Sequence, residues 1–163
     1  MIRALQIPST SSGHLDRAEL AEEFCNRWKK DVFAFCRMFL GVDAAAEDTA
    51  LEVLLRFCQE QSFRLSDSET ATRLLALAFR MMQPSREEMH ADHMSPSRLD
   101  AALQQLPALQ RAAIIAKNLM HLEWTAIPRV LGISAEQAHK LWGRAMLRLN
   151  DELQTRIKKE HAE

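Results

Sequence analysis

The chain has 163 residues, 47% hydrophobic and 26% charged, which fits one compact domain or two small ones of an ordinary globular protein. Four glycines and five prolines amid much Ala, Leu, Met, Gln, Glu and Arg favour helix over sheet, and no apolar run nears the roughly 20 residues of a membrane span. The formal charge of −1 conceals a split: residues 1–97 hold 11 Lys and Arg against 15 Asp and Glu, a net of −4, whereas residues 98–159 hold 10 against 5, a net of +5. An acidic half suits protein contacts and a basic half suits phosphates.

Residues 1–15, with Pro8, Ser9, Thr10, Ser11, Ser12 and Gly13, lack the apolar core of a signal peptide and read as a flexible leader on a cytoplasmic protein. Asp16 and Glu19 have the spacing of a capping box, so the first helix is expected from Asp16, with Leu20, Phe24, Trp28, Val32, Phe35, Cys36 and Phe39 inward and Gly41 as its stop. Asp43 opens a second helix that turns Ala46, Ala50, Val53, Leu54 and Phe57 inward. Ser66 and Glu69 form another capping box, before a third helix carrying Leu74, Leu77, Ala78 and Met81 on its apolar side and ended by Pro84. Cys25 and Cys36 share a face of the first helix but stand about 16 Å apart along it, so the three cysteines are expected as reduced core residues.

Residues 84–97 are polar, hold two prolines and show no period, as an interdomain linker would. His90, Asp92 and His93 fall there without a further ligand in view, so no metal site is expected. Ser97 and Asp100 then open a short helix through Leu99, Leu103 and Leu106. Pro107 suits the first turn of the next, with Ala112, Ile115 and Leu119 inward. No strand alternation occurs. The predicted architecture is all-α: a helical domain over 16–83, the linker, and a second helical domain over 98–157.

The informative stretch is EWTAIPRVLGISAEQAHKLWGRAMLRL, residues 123–149. A short helix holds Ile127, Val130 and Leu131, and Gly132 follows where a turn needs positive φ. Ser134 caps the next helix with Gln137 at the box position, while Ala138, Leu141 and Ala145 face inward. Glu136, Gln137, His139, Lys140 and Arg144 are left outward, a set able to reach bases and phosphates in a major groove. The same pattern describes an ordinary αα-hairpin with a solvated face. The coincidence with the basic half of the chain favours DNA.

LPALQR (residues 106–111), followed by this helix-turn-helix with its Arg144-Ala145 pair, resembles region 4 of the extracytoplasmic-function RNA polymerase sigma factors. AAAEDTALEVLLRF, residues 44–57, is similar to that family's region 2.2, which docks on the polymerase clamp. The resemblance spans residues 19–153 in order. It implies that Asp48 and Glu52 meet basic clamp helices, that Arg111 touches backbone phosphate, and that His139 and Lys140 lie on the surface reading the minus-35 element. Core RNA polymerase, promoter DNA and an anti-sigma factor are the implied partners; no cofactor is implied.

The resemblance breaks in several places. Leu51 stands where glutamine is usual, and Ala126 and Pro128 replace a glutamate and a small residue. Residues 73–88, aligned with the segment that melts the minus-10 element, carry Arg73, Arg80, Pro84 and Glu87-Glu88 in place of Trp, Asn, Asp and a basic pair. Pro128 fits only if its helix starts close before it. The melting segment reads as degenerate, and weak promoter opening is the expectation. No nucleophile elbow, phosphate-cradling glycine loop or metal-spaced ligand set points to an enzyme. An alternative sigma factor is the leading expectation; a sigma-like mimic that binds an anti-sigma or other regulatory protein, with little DNA binding, is the alternative.

Overall fold

The computed structural model describes residues 17–41, 43–60, 65–83 and 97–160. The predicted leader, the Asp16 cap, Pro84, Glu87-Glu88 and the His90, Asp92, His93 group lie outside these residues. Among the described residues seven α-helices follow one another: α1 (Arg17–Leu40), α2 (Asp43–Glu60), α3 (Asp67–Met82), α4 (Arg98–Gln104), α5 (Ala108–Ile114), α6 (Ile127–Leu131) and α7 (Ala135–Glu160). Among the described residues there is no strand, so the protein is all-α as its composition implied. No described helix is long and apolar enough to cross a membrane.

α1 and α2 form an antiparallel hairpin around Gly41, whose φ of +75° only glycine adopts at little cost. Val32, Phe35, Cys36 and Phe39 of α1 are buried against Ala46, Ala50, Val53, Leu54 and Phe57 of α2, the five positions the periodicity picked out. Leu20, Phe24 and Trp28 are only half-buried, because the outer end of α1 has fewer neighbours. Ser66 caps α3, its hydroxyl accepting from the Glu69 N–H at 3.3 Å. Here the burial exceeds the prediction: Thr70, Thr72, Leu75, Phe79 and Met82 are buried beside Leu74 and Ala78. A single apolar stripe underestimates a helix packed on two sides, and α3 lies between the α1–α2 hairpin and α6.

Ser97 caps α4 by accepting from Asp100 N–H at 3.0 Å, and Pro107 precedes α5. α5 runs into a π-helical turn, Ile115–Leu119, that the sequence pattern did not reveal. It closes with Met120 N–H donating to Ile115 O at 2.8 Å and Leu122 N–H to Ala116 O at 3.0 Å, and leaves His121 at φ 54°.

The helices either side of residues 84–97 pack on each other. At the end of α1, whose last carbonyls have no intrahelical donor, Gln104 Nε2 donates to Met38 O at 3.1 Å and Arg111 donates to Phe39 O at 2.5 Å. The same guanidinium donates to Gln104 Oε1 at 2.6 Å, Gln104 O at 2.9 Å and Leu106 O at 3.2 Å, and lies 5.4 Å over the Phe39 ring. One cation therefore joins the end of α1, the end of α4 and the turn into α5.

A second tie crosses from α3 to α6. Both Arg129 amino groups reach Glu69, at 2.8 and 2.6 Å, and Arg73 adds a third donor at 2.8 Å. Hydrogen bonds from Arg129 first, and from Arg73 second, lower the Glu69 carboxyl from 4.5 to about 2. A carboxyl lowered by folding stabilises the fold fully above its ordinary value and loses that contribution as the pH falls from 4.5 towards 2. Glu69→Gln, which keeps the backbone cap, should lower the thermal midpoint at pH 7, and its difference from the parent should close by about pH 2. A gap unchanged between pH 7 and pH 2 would dismiss this ion pair as a tie between the helices.

The three cysteines depart from the expected buried set. Cys36 is buried, and that burial pushes its thiol up to about 12, but Cys25 and Cys58 are half-exposed.

Candidate nucleic-acid interface

Residues 123–160 build the helix-turn-helix from local rules. Ala126 and Ile127 N–H groups both donate to Glu123 O, at 2.9 and 3.3 Å, which starts a turn just ahead of α6. Pro128 then falls in the first turn of α6, where its missing N–H costs no hydrogen bond. Gly132 ends α6 at φ +69°; a Cβ there would meet nothing within 4 Å, so the backbone conformation, not lack of space, selects glycine. Ile133 N–H returns to Pro128 O at 3.1 Å. Both arms of the capping box form on α7: Gln137 N–H donates to Ser134 Oγ at 3.2 Å, and Ser134 N–H donates to Gln137 Oε1 at 2.9 Å. Ala138, Ala145 and Leu149 are buried, and Leu141 is half-buried.

The predicted outward residues are all exposed, but they are not equally available. Lys140 and Arg144 stand one turn apart on the outer face of α7. Glu136 is held by Lys140 at 2.5 Å, in the favourable acid-before-base order. The carboxamide oxygen of Gln137 is taken by the cap, leaving its NH2. His139 stacks on Trp124 with centroids 4.0 Å apart, while Trp142 meets Trp124 edge-on at 5.4 Å and donates from Nε1 to Asn118 at 2.7 Å. Lys117 sits 5.3 Å over the Trp124 ring and donates to Leu122 O at 3.0 Å. This aromatic group fixes the first turns of α7 against the segment before α6.

Arg111, which the family resemblance implied at a phosphate, does not join this face. The structure spends its guanidinium on the α1–α4–α5 junction, where backbone carbonyls supply the negative partners. On α2, Asp48 and Glu52 are exposed on one face, Glu52 being paired with Arg56 at 2.5 Å. Beside them Leu51 is 59% and Leu55 51% exposed, so the acidic face of α2 is also apolar.

Within residues 73–83, the described part of the segment that the family resemblance sets against the melting region, the aromatic residue is Phe79. It is buried, with its ring edge-on to Phe39 at 5.8 Å, and cannot stack on a base in this arrangement. Sequence reasoning passed over Gln104, Lys117, Trp124 and Arg129, and read Glu69 as a capping residue alone. Each acts through a partner distant in sequence or across a turn, so periodicity carries no sign of it.

No protein-family model matches the sequence, and no curated protein is similar enough in sequence to count as a relative. Among solved structures, the fold is similar to that of the sigma factor RpoE from Bartonella quintana, determined in complex with the anti-sigma factor NepR. The TM-score is 0.64 at 18% identity, covering 82% of this chain and 96% of that one. A chain of the RsbN–BldN complex is matched over 82% of this chain and 91% of its own length at 21% identity, with a TM-score of 0.36, too slight to bear on the fold. At these identities the likeness is one of fold.

Proposed function

We propose that this chain is an alternative sigma factor of the extracytoplasmic-function kind. It binds core RNA polymerase through the Asp48 and Glu52 face of α2, sets α7 into the major groove of a minus-35 element, and directs initiation at a small set of promoters. The observation that carries this reading is a single fold likeness, to one sigma factor, running through both the α1–α3 hairpin unit and the helix-turn-helix. A free-standing DNA-binding regulator would need only the second. Lys140 and Arg144 supply the phosphate and base contacts, with the NH2 of Gln137 beside them. His139 acts mainly by holding α7 against Trp124.

The second reading is a sigma-like protein whose main partner is an anti-sigma factor, the kind of protein that RpoE binds in the matched structure. It is favoured by the buried Phe79 and by the ties between α3 and α6, which draw the helix-turn-helix onto the segment aligned with the melting region.

The discriminating experiment is titration of the full chain with core RNA polymerase, followed by binding of the complex to promoter duplexes at several salt concentrations. The sigma-factor reading expects a one-to-one complex whose DNA affinity falls with a log–log salt slope of about −0.9 per phosphate contacted. Lys140→Ala with Arg144→Ala should flatten that slope by roughly 2 and weaken binding about tenfold or more. No association with core polymerase, together with tight capture of an anti-sigma factor, would transfer the assignment to the second reading.

A further inference from the structure

Two of the three cysteines meet across the α1–α2 hairpin. Phe24 of α1 lies flat on Phe57 of α2, with ring centroids 5.1 Å apart and planes 5° apart. One residue further along each helix, Cys25 Sγ and Cys58 Sγ are 3.8 Å apart, in thiols that are free and half-exposed. The aromatic stack holds the register of the helices at this point, so the two sulfurs are neighbours by construction. We propose that Cys25 and Cys58 are a reversible dithiol–disulfide site that staples α1 to α2 when the protein meets a hydroperoxide.

The chemistry closes without a further reagent. The Cys25 thiol gives up its proton and its sulfur attacks one oxygen of hydrogen peroxide; the O–O bond breaks, Cys25 becomes a sulfenic acid, and the departing hydroxide takes up that proton and leaves as water. The Cys58 sulfur then attacks the Cys25 sulfur; the S–O bond breaks, and the hydroxide leaves as a second water with the Cys58 proton. Two thiols lose two electrons and hydrogen peroxide gains them. Burial first, and Cys25 beside it second, pushes the Cys58 thiol up to about 11, so Cys58 keeps its proton through the first step and acts as the resolving thiol.

Geometry separates this pair from its alternatives. Bonding requires the sulfurs of two half-buried side chains to close from 3.8 Å to about 2.05 Å. Cys36 lies on α1 about 16 Å away and is fully buried, so it is an internal control that should not react. A zinc site is not the better reading: among the described residues, no group of three or more His, Cys, Asp and Glu side chains could hold a metal.

The test treats the reduced full chain, dilute and at neutral pH, with increasing hydrogen peroxide. The expected product is a monomer about 2 Da lighter, with one alkylatable thiol after denaturation instead of three, and a peptide map joining the Cys25 and Cys58 fragments. Dithiothreitol should restore all three thiols. The bridge closes a loop between residues 33 apart, so the oxidised chain should melt roughly 5–15 °C higher than the reduced one. Cys58→Ser should stop the sequence at the Cys25 sulfenic acid, trapped by a dimedone adduct. Three thiols persisting, a bridge to Cys36, covalent dimers, or sulfinic acid in place of the bridge would each overturn the proposal.

Discussion

Arg111→Ala should lower the stability of the fold by about 3 kcal/mol, a large share of the 5–15 kcal/mol typical of a domain. The guanidinium donates to the Phe39, Gln104 and Leu106 carbonyls and to the Gln104 side chain, and it covers the Phe39 ring. Truncation leaves the Phe39 carbonyl at the negative end of α1 with only the 3.4 Å contact from Gln104 Nε2, and takes the guanidinium from the Gln104 and Leu106 carbonyls and from the Gln104 side-chain oxygen. Arg111→Lys should recover only part of the loss, because one ammonium cannot reproduce a planar fork that addresses four acceptors. Urea unfolding of the full chain measures the effect. A change below about 0.5 kcal/mol, with a large loss of DNA affinity instead, would return Arg111 to the phosphate contact that family resemblance implied.

Reversing both acids on α2, Asp48→Lys with Glu52→Lys, should weaken core-polymerase binding at least a hundredfold while leaving the helical content intact. The positions are four apart and exposed, so both substitutions change one face. Glu52→Lys also loses the Arg56 partner and places two cations at i,i+4, a local cost of only a few tenths of a kcal/mol for a solvated pair. The interfacial cost is larger, because like charges set against a basic partner repel in a partly desolvated contact. Leu51 and Leu55 flank the acids and are more than half exposed, so any partner there also covers apolar surface. Unchanged affinity in a fluorescence-anisotropy titration would remove α2 from the polymerase contact.

The amino-acid sequence by itself determined the elements whose causes are local. The apolar spacing of α2 named all five of its buried residues, because that helix buries one face only. The Ser66 and Ser97 caps and the Ser134–Gln137 box were legible because capping is set by residues three apart. Gly132 was legible because a positive φ excludes most other residues, and Pro128 because its first-turn place follows from its missing N–H. The outward face of α7 was legible too, as a list of exposed positions.

Which members of that list stay available was decided by tertiary structure. His139 is taken by Trp124, fifteen residues earlier, and Gln137 is divided between its own cap and solvent. Arg111 shows the same limit: its acceptors include the end of a helix 72 residues away, and in the sequence a cation of a basic half looks alike whether it meets phosphate or carbonyl. α3 buries more than one stripe because α6 covers its other side, held by Arg129 on Glu69 across 60 residues. The Cys25–Cys58 approach likewise joins two helices, where spacing along one helix had compared the wrong pair. Side-chain periods fix which face turns inward; they carry no information on which distant element arrives to cover the rest.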